Sequence, residues 1–369
     1  MADKLIKEMG LPKSMANVFA ARNISTAEEA LSLTEFELMQ LLDVGMAEVS
    51  AAVARISEIT CPPYQTVLSL LEQRVQKEDH GGHLPTRLKG LDEALCGGLP
   101  FGVLTELVGP AGIGKTQFCM KLSLLTSLPA AYGGLNGRVV YIDLESKFSS
   151  RRMIEIGVKS FPEIFNMKGM AQEMAGRILV LRPTSVPEFT ESLQQIKVSL
   201  LQQQVKLLVI DSMAATVSGN YNNGASRQPL LGWHISFLKS LAELSRIPIV
   251  VTNQVRSQSR EEAHQFSFQV RSSKETAGYD SHLVAALGIN WAHAVTIRLV
   301  LESKSGQRFI KLAKSPMSPP LAFPFNITSA GISLLSDDGT ELKGAEINTI
   351  HCHGQNDIIN FGGKGCSDQ

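Results

Sequence analysis

The most specific chemistry in the chain is carried by Gly109-Pro110-Ala111-Gly112-Ile113-Gly114-Lys115-Thr116. These residues fit the spacing G-x-x-x-x-G-K-[ST], whose glycines let backbone amides turn inward around phosphate oxygens. A helix opening at Lys115 adds the positive end of its dipole to the same anions. Lys115 is placed to bridge the terminal phosphates, and the Thr116 hydroxyl to ligate Mg²⁺. ATP with Mg²⁺ is therefore the expected ligand of Gly109 through Thr116.

Three further positions supply what a reaction on that ligand needs. Leu207-Leu208-Val209-Ile210-Asp211 is an apolar run ending in a carboxylate, and Asp211 is read as a second holder of Mg²⁺. Tyr141-Ile142-Asp143-Leu144-Glu145 places Glu145 just past another such run, where it can orient and deprotonate an attacking water. Ile249-Val250-Val251-Thr252-Asn253-Gln254 delivers an amide, Gln254, at a third tip, within reach of the γ-phosphate. The phosphate loop by itself does not choose among kinases, motors, transporters and recombinases.

These side chains need strands that end together. Short β-branched runs over 103–108, 139–142, 178–181, 207–210 and 249–252 alternate with longer stretches of helical periodicity, such as Phe118, Leu122 and Leu125. The alternation predicts an α/β core with a mainly parallel, twisted sheet and helices on both faces. After Trp291 the runs over 295–301, 309–313, 323–327 and 332–335 predict a mixed or antiparallel extension. Residues 1–60 are rich in Ala, Leu and Glu and predict a small all-α domain. Within it, Leu41 to Gly45 precedes the stripe Val49, Val53, Ile56, and the glycine permits the tight turn of a helix-hairpin-helix. That turn carries Asp43 and Glu48 but no Lys or Arg, so phosphate binding stays open beside simple packing or protein contact. Cys61-Pro62-Pro63 ends this domain. Residues 61–85 read as a flexible linker, 86–345 as the ATPase core and 346–369 as a loose tail.

Thirty-five basic residues balance 35 acidic ones, so any contact with nucleic acid has to come from local loops rather than a global field. Five cysteines are too few and too scattered for a disulfide framework and suit a reducing compartment. His351-Cys352-His353 cannot easily converge on one ion, and no metal motif accompanies it. No apolar run reaches the ~20 residues of a membrane span, and the Met1–Lys7 start lacks a signal-peptide core. A soluble intracellular protein is expected, without membrane contact.

The motifs together resemble the eukaryotic RecA-like recombinase family over about residues 1–335. The matching stretches are Leu91-Asp92 through Gly97-Gly98-Leu99, Gly102-Val103-Leu104-Thr105-Glu106, the loop ending Lys115-Thr116-Gln117, Tyr141-Ile142-Asp143 with Glu145, and Thr252-Asn253-Gln254-Val255. The phosphate loop, Ala286-Leu287-Gly288 with Trp291, and Ala313-Lys314-Ser315-Pro316 are most similar to the family's B-type paralogues. The resemblance implies a RecA-like phosphate-loop ATPase core. It assigns Lys115, Thr116 and Gln117 to the nucleotide, Asp211 to Mg²⁺, Glu145 to catalysis, and Gln254 to reporting the γ-phosphate. Arg152 falls where the family has an arginine near the adenine.

The resemblance also implies two mobile loops facing single-stranded DNA, here about 214–229 and 255–283. Arg227, Arg256, Arg260, Arg271 and Lys274, with Phe266 and Phe268 interleaved, offer cations for phosphates and aromatics for bases. Glu261, Glu262, Glu275 and Asp280 dilute that charge. Tyr64-Gln65-Thr66-Val67 lies near the family's aromatic-x-x-Ala docking segment, with Val in place of Ala. Lys314 stands where it could reach a neighbouring subunit's γ-phosphate. The implied role is a slow, DNA-dependent ATPase that joins other paralogues in a hetero-oligomer and assists recombinase filaments on single-stranded DNA. Nuclear residence follows from that role. The strand-exchange recombinase itself and an ATP-regulated scaffold remain as alternatives.

Overall fold

The computed structural model of the chain describes residues 5–60, 66–77, 79–202, 204–218, 227–258, 282–285, 287–343 and 350–352. It divides into two units, Met1–Lys77 and Glu78–Gln369.

In the first unit, α1 (Lys13–Ala21), α2 (Ala27–Leu31), α3 (Glu35–Leu42) and α4 (Met46–Thr60) bury Phe19, Leu38, Val49 and Ile56 in one core. Reciprocal capping boxes open α2 (Thr26 with Glu29) and α3 (Thr34 with Glu37). The expected hairpin joins α3 to α4, with Val53 half-buried against the same core. Its left-handed residue is Asp43, at φ 53° and ψ 48°, rather than the expected Gly45. A short polar side chain tolerates that region. Gly45 instead donates its amide to Glu48 Oε2 at 3.2 Å, so a carboxylate of the chain itself takes a donor that a phosphate would need.

The segment expected as a flexible linker is partly ordered. Val67–Lys77 forms α5, opened by Thr66, whose Oγ1 accepts from the Ser69 amide at 3.1 Å. Leu, Glu, Gln, Arg and Lys are good helix formers, and that propensity outweighs the polarity that suggested a linker. Tyr64 and Gln65 lie outside the described residues.

The second unit opens with β1 (His83–Leu84) paired antiparallel to β2 (Leu99–Pro100), with α6 (Lys89–Ala94) between them. The main strands are β3 (Leu104–Val108), β4 (Arg138–Asp143), β5 (Ile178–Leu181), β6 (Val205–Asp211) and β7 (Ile249–Asn253). Between them lie α7 (Lys115–Ser127), α8 (Ser150–Ser160), α9 (Pro162–Phe165), α10 (Met170–Gly176), α11 (Val186–Gln202), α12 (Ala215–Ser218) and α13 (Arg227–Ser245). A smaller sheet begins with β8 (Val255–Gln258) and β9 (His282–Ala285), followed by α14 (Gly288–Ala294). The chain then returns to the main sheet through β10 (Ile297–Lys304), β11 (Gln307–Lys314), β12 (Leu321–Thr328), β13 (Gly331–Leu334) and β14 (Thr340–Glu341).

The main sheet has the order β13-β12-β11-β10-β3-β7-β6-β4-β5, with β14 on β12. Every pairing from β10 to β5 is parallel, and the extension from β10 through β13 is antiparallel, as the sequence predicts. One face packs Phe118, Leu122 and Leu125 of α7 with Phe323 and Phe325. The other packs Phe189 of α11, Leu238 of α13 and Trp291 of α14. The tail expected to be irregular contributes β15 (Ile350–Cys352), which pairs parallel to β9. A three-residue strand has too little pattern to be read locally; its partner defines it. Among the described residues no helix is long and apolar enough to cross a membrane.

Candidate active site

The phosphate loop leaves β3, the middle strand of the sheet order, at Val108 and enters α7 at Lys115. Gly109 keeps the loop against the sheet: its amide donates to Asn253 O at 3.3 Å, and a Cβ there would stand 2.5 Å from Leu301 O. Gly114 has φ +123°, a conformation only glycine adopts freely. Pro110, Ala111, Gly112 and Ile113 complete the turn, with Ile113 buried beneath it. Lys115 folds back, its Nζ donating to Gly109 O at 2.6 Å and Pro110 O at 2.9 Å. Burial lowers the Lys115 pKa, against the opposing pull of Asp211. The ammonium thus waits inside the loop that needs it.

The strand tips converge on this loop because parallel neighbours end at one edge. Thr116 Oγ1 donates to Asp211 Oδ2 at 2.7 Å. Tyr141 donates to the same oxygen at 2.7 Å, and Thr252 Oγ1 to Asp211 Oδ1 at 2.5 Å. Burial pushes the Tyr141 phenol well above its ordinary pKa, so it serves as a fixed donor. The hydroxyl and carboxylate expected to hold Mg²⁺ are therefore in contact, at the entrance of α7, and fit a hard cation that takes oxygen ligands.

Glu145 is presented by a turn that Asp143 builds. The buried Asp143 carboxylate accepts the amides of Lys147 at 2.9 Å and Phe148 at 3.1 Å, and Arg182 Nε at 3.2 Å. Leu144 N donates to Asp211 O at 2.8 Å, which fixes the turn to β6. Glu145 Oε1 accepts from Ser212 Oγ and from Gln254 Nε2, the latter at 3.0 Å. Glu145 Oε2 pairs with Lys147 Nζ. Burial raises the Glu145 pKa, but Lys147, Ser212 and Gln254 together hold it below its ordinary value. The three predicted catalytic side chains, Lys115, Glu145 and Gln254, are thus part of one charged constellation.

Arg152 lies at the margin of this group. Its Nε donates to Gln117 Oε1 at 2.9 Å, and its Nη atoms to Ser329 O at 3.0 Å and Thr328 O at 2.5 Å, tying α8 to α7 and the β12–β13 turn. Lys314 Nζ donates to Ala292 O at 3.0 Å, His293 O at 3.4 Å and Val295 O at 2.6 Å, capping the C-terminus of α14. A reach toward a neighbour's phosphate would require it to leave those carbonyls. Arg227 opens α13, and Arg256 lies in β8 opposite Val284. Arg260, Arg271 and Lys274 fall outside the described residues. Sequence reasoning missed Tyr141, Ser212, Thr252 and Lys147 as members of the site. A hydroxyl in an otherwise apolar strand was the available signal for Tyr141 and Thr252.

Residues 82–335 match the Rad51 family model, and residues 6–60 match the XRCC3/RpoA-like helix-hairpin-helix domain. The chain is 72% identical over 371 residues to DNA repair protein RAD51 homolog 2 of Arabidopsis thaliana, covering 100% of both chains. It is 33% identical over 360 residues to the Homo sapiens protein of that name, covering 94% of this chain and 93% of the human one. DNA repair protein RAD51 homolog 3 of Cricetulus griseus is 28% identical over 341 residues, covering 84% of this chain and 87% of the other.

Proposed function

We propose, from the premise that this chain belongs to the Rad51 family, that it is a recombinase paralogue whose ATP turnover serves homologous recombination in the nucleus. The observation that carries the reading is the convergence of Lys115, Thr116, Asp211, Glu145 and Gln254 at one sheet edge. Gly109 through Gln117 would cradle ATP, Arg152 would border it, and Thr116 with Asp211 would hold Mg²⁺. The ion supplies positive charge against the terminal phosphates. Lys115 stabilises the same charge once it exchanges its loop carbonyls for phosphate oxygens. Glu145 accepts the proton of the attacking water, and Gln254 keeps that carboxylate oriented.

The relatives named RAD51 homolog support a place among recombinase paralogues in a hetero-oligomer. Strand β5 supports it too: it closes the sheet as an edge, and Leu179 and Leu181 are each 37% exposed along it. Single-stranded DNA would meet Arg227, Arg256, Arg260, Arg271 and Lys274, and the complex would assist recombinase filaments there. One observation favours a second reading, in which ATP serves assembly without turnover: Lys147 holds the base that hydrolysis requires.

Steady-state ATP turnover by the purified chain, with and without single-stranded DNA and beside Lys115→Ala, tests the proposal. DNA-stimulated turnover that vanishes in the variant is the expected result. Tight ATP binding with no turnover, alone or with partner paralogues, would overturn catalysis and leave the assembly reading.

A further inference from the structure

Ser-Pro occurs at two places in the sequence, Ser315-Pro316 and Ser318-Pro319, and Thr-Pro at none. Both lie in the loop between Lys314, which ends β11, and Leu321, which opens β12. Ser318 is the better placed of the two. Pro316-Met317-Ser318-Pro319 sets one proline two positions before it and another directly after it. Ser315 has Ala313 at the earlier position, and its Oγ accepts the Met317 amide at 3.1 Å. Ser318 Oγ donates to Pro319 O at 2.9 Å, a local contact that rotation of the side chain exchanges for water. Pro316, Met317 and Pro319 around it are exposed.

The prolines carry chemical information. A proline nitrogen has no hydrogen, so an enzyme pocket without an acceptor beside the following residue admits proline and leaves the N–H of any other residue unsatisfied. A residue before proline is driven from the helical region toward extended backbone, which applies to Ser315 and Ser318 alike. No helix or strand runs through residues 315–320. A serine in such a segment, with proline two before and one after, is what proline-directed protein kinases select.

The same loop decides what a phosphate would meet. Strands β11 and β12 pair as far as Leu312 and Leu321, so the ends of the loop are held about one strand spacing, ~4.8 Å, apart. Lys314 opens the loop, and Lys343 follows Leu342, whose amide donates to Pro320 O at 2.9 Å. Glu341, paired with Leu321, is the carboxylate on that side. Lys314 Nζ holds the carbonyls of Ala292, His293 and Val295 at the end of α14. A phosphoserine brings about −2 charge and three acceptor oxygens, which bind an ammonium more strongly than neutral carbonyls do.

We propose that Ser318 is the acceptor site of a proline-directed protein kinase, and that its phosphate draws Lys314 away from α14. In the transfer, Ser318 Oγ bonds to the γ-phosphorus of the kinase's ATP as the bond to the β,γ-bridging oxygen breaks. ADP leaves, and the hydroxyl proton passes to the kinase's catalytic aspartate. Nucleotide binding by this chain itself is not required.

The folded full chain is incubated with Mg²⁺, ATP and a purified mitogen-activated protein kinase, and phosphate is mapped by tandem mass spectrometry. The expected result is a single phosphate on Ser318, absent without the kinase, absent in Ser318→Ala and Pro319→Ala, and retained in Ser315→Ala. Trp291 reports on α14, because Val295, whose carbonyl Lys314 holds, donates its amide to Trp291 O at 3.2 Å. Trp233 is the other tryptophan, so emission is read in a Trp233→Phe background. Emission should shift on phosphorylation and stay unchanged when Lys314→Gln carries the same phosphate. No phosphate on Ser318, or uptake only after denaturation, would overturn the site. Undiminished labelling of Pro319→Ala would overturn the proline-directed class. Full phosphorylation with unchanged Trp291 emission would overturn the pull on Lys314.

Discussion

Replacing Lys147 with glutamine should speed ATP hydrolysis. Lys147 pairs with Glu145 Oε2, while Ser212 and Gln254 occupy Oε1, so the predicted base is engaged at both oxygens. The lysine side chain is 48% exposed, and solvent screening limits such a pair to roughly 0.2–1 kcal/mol. Losing it raises the Glu145 pKa, because the Lys147 cation is one of the groups that hold it down. If the pair has to open before Glu145 accepts a proton, its removal accelerates the step by about 1.4- to 5-fold. The variant keeps the Lys147 backbone amide that Asp143 binds, so the turn survives. The assay is steady-state turnover at saturating ATP across about pH 5 to 8. The expected outcome is a higher kcat at neutral pH and an acid limb displaced to higher pH, since removing the cation raises the Glu145 pKa. A tenfold fall in kcat would refute the reasoning. No change in kcat would mean that the pair does not limit the step.

Further consequences concern the supports of the site. Asp211→Asn turns an acceptor for Thr116, Tyr141 and Thr252 into a group with donors of its own; it should cost about 1–3 kcal/mol in thermal unfolding and abolish Mg²⁺-dependent nucleotide affinity by titration. Burial holds the His234 pKa down to about 4, so between about pH 6.5 and 4 the unfolded chain binds the extra proton and stability falls as pH falls. Denaturant midpoints from pH 7 to 5 should decline in the parent and decline less in His234→Phe, provided the neighbouring carboxylates are unchanged. Thr34→Ala removes one half of the α3 capping box and should lower the local stability of that helix by about 1 kcal/mol, read as faster amide exchange in α3 of the full chain.

The core of this fold is legible wherever a local period or a strand end carries the information. The runs at 139–142, 178–181, 207–210 and 249–252 become β4 to β7, and the carboxylates and amide at their ends meet because parallel strands share an edge. Features set by contacts between distant residues were hidden. Lys147 joins Glu145 only because Asp143 bends the intervening turn, and Ser212 enters because β6 ends beside β4. The sequence offers Lys314 as a cation for a neighbouring subunit's phosphate; the folded chain places three carbonyls at the end of α14 around it. Asp43 takes the left-handed turn position because glycine is the easiest residue there, not the sole one. The helix over 67–77 was obscured by reading polarity as irregularity, although its residues are strong helix formers.

The candidate site is balanced within itself, and that balance bears on how ATP would act. Lys115 is satisfied by the carbonyls of Gly109 and Pro110, Lys147 by Glu145, and Asp211 by three hydroxyls. A triphosphate brings several negative charges into a part-buried pocket and competes for both lysines at once. Drawing Lys115 off its carbonyls forms the phosphate cradle, and drawing Lys147 off Glu145 releases the base. Binding and activation are then linked through the same two cations, and the fivefold ceiling for Lys147→Gln applies to a state in which ATP leaves the pair intact. An acceleration near the lower bound would mean that bound ATP has already parted Lys147 from Glu145. The half-exposed lysine and the less exposed carboxylate favour that order, because the lysine has room to move and the base does not.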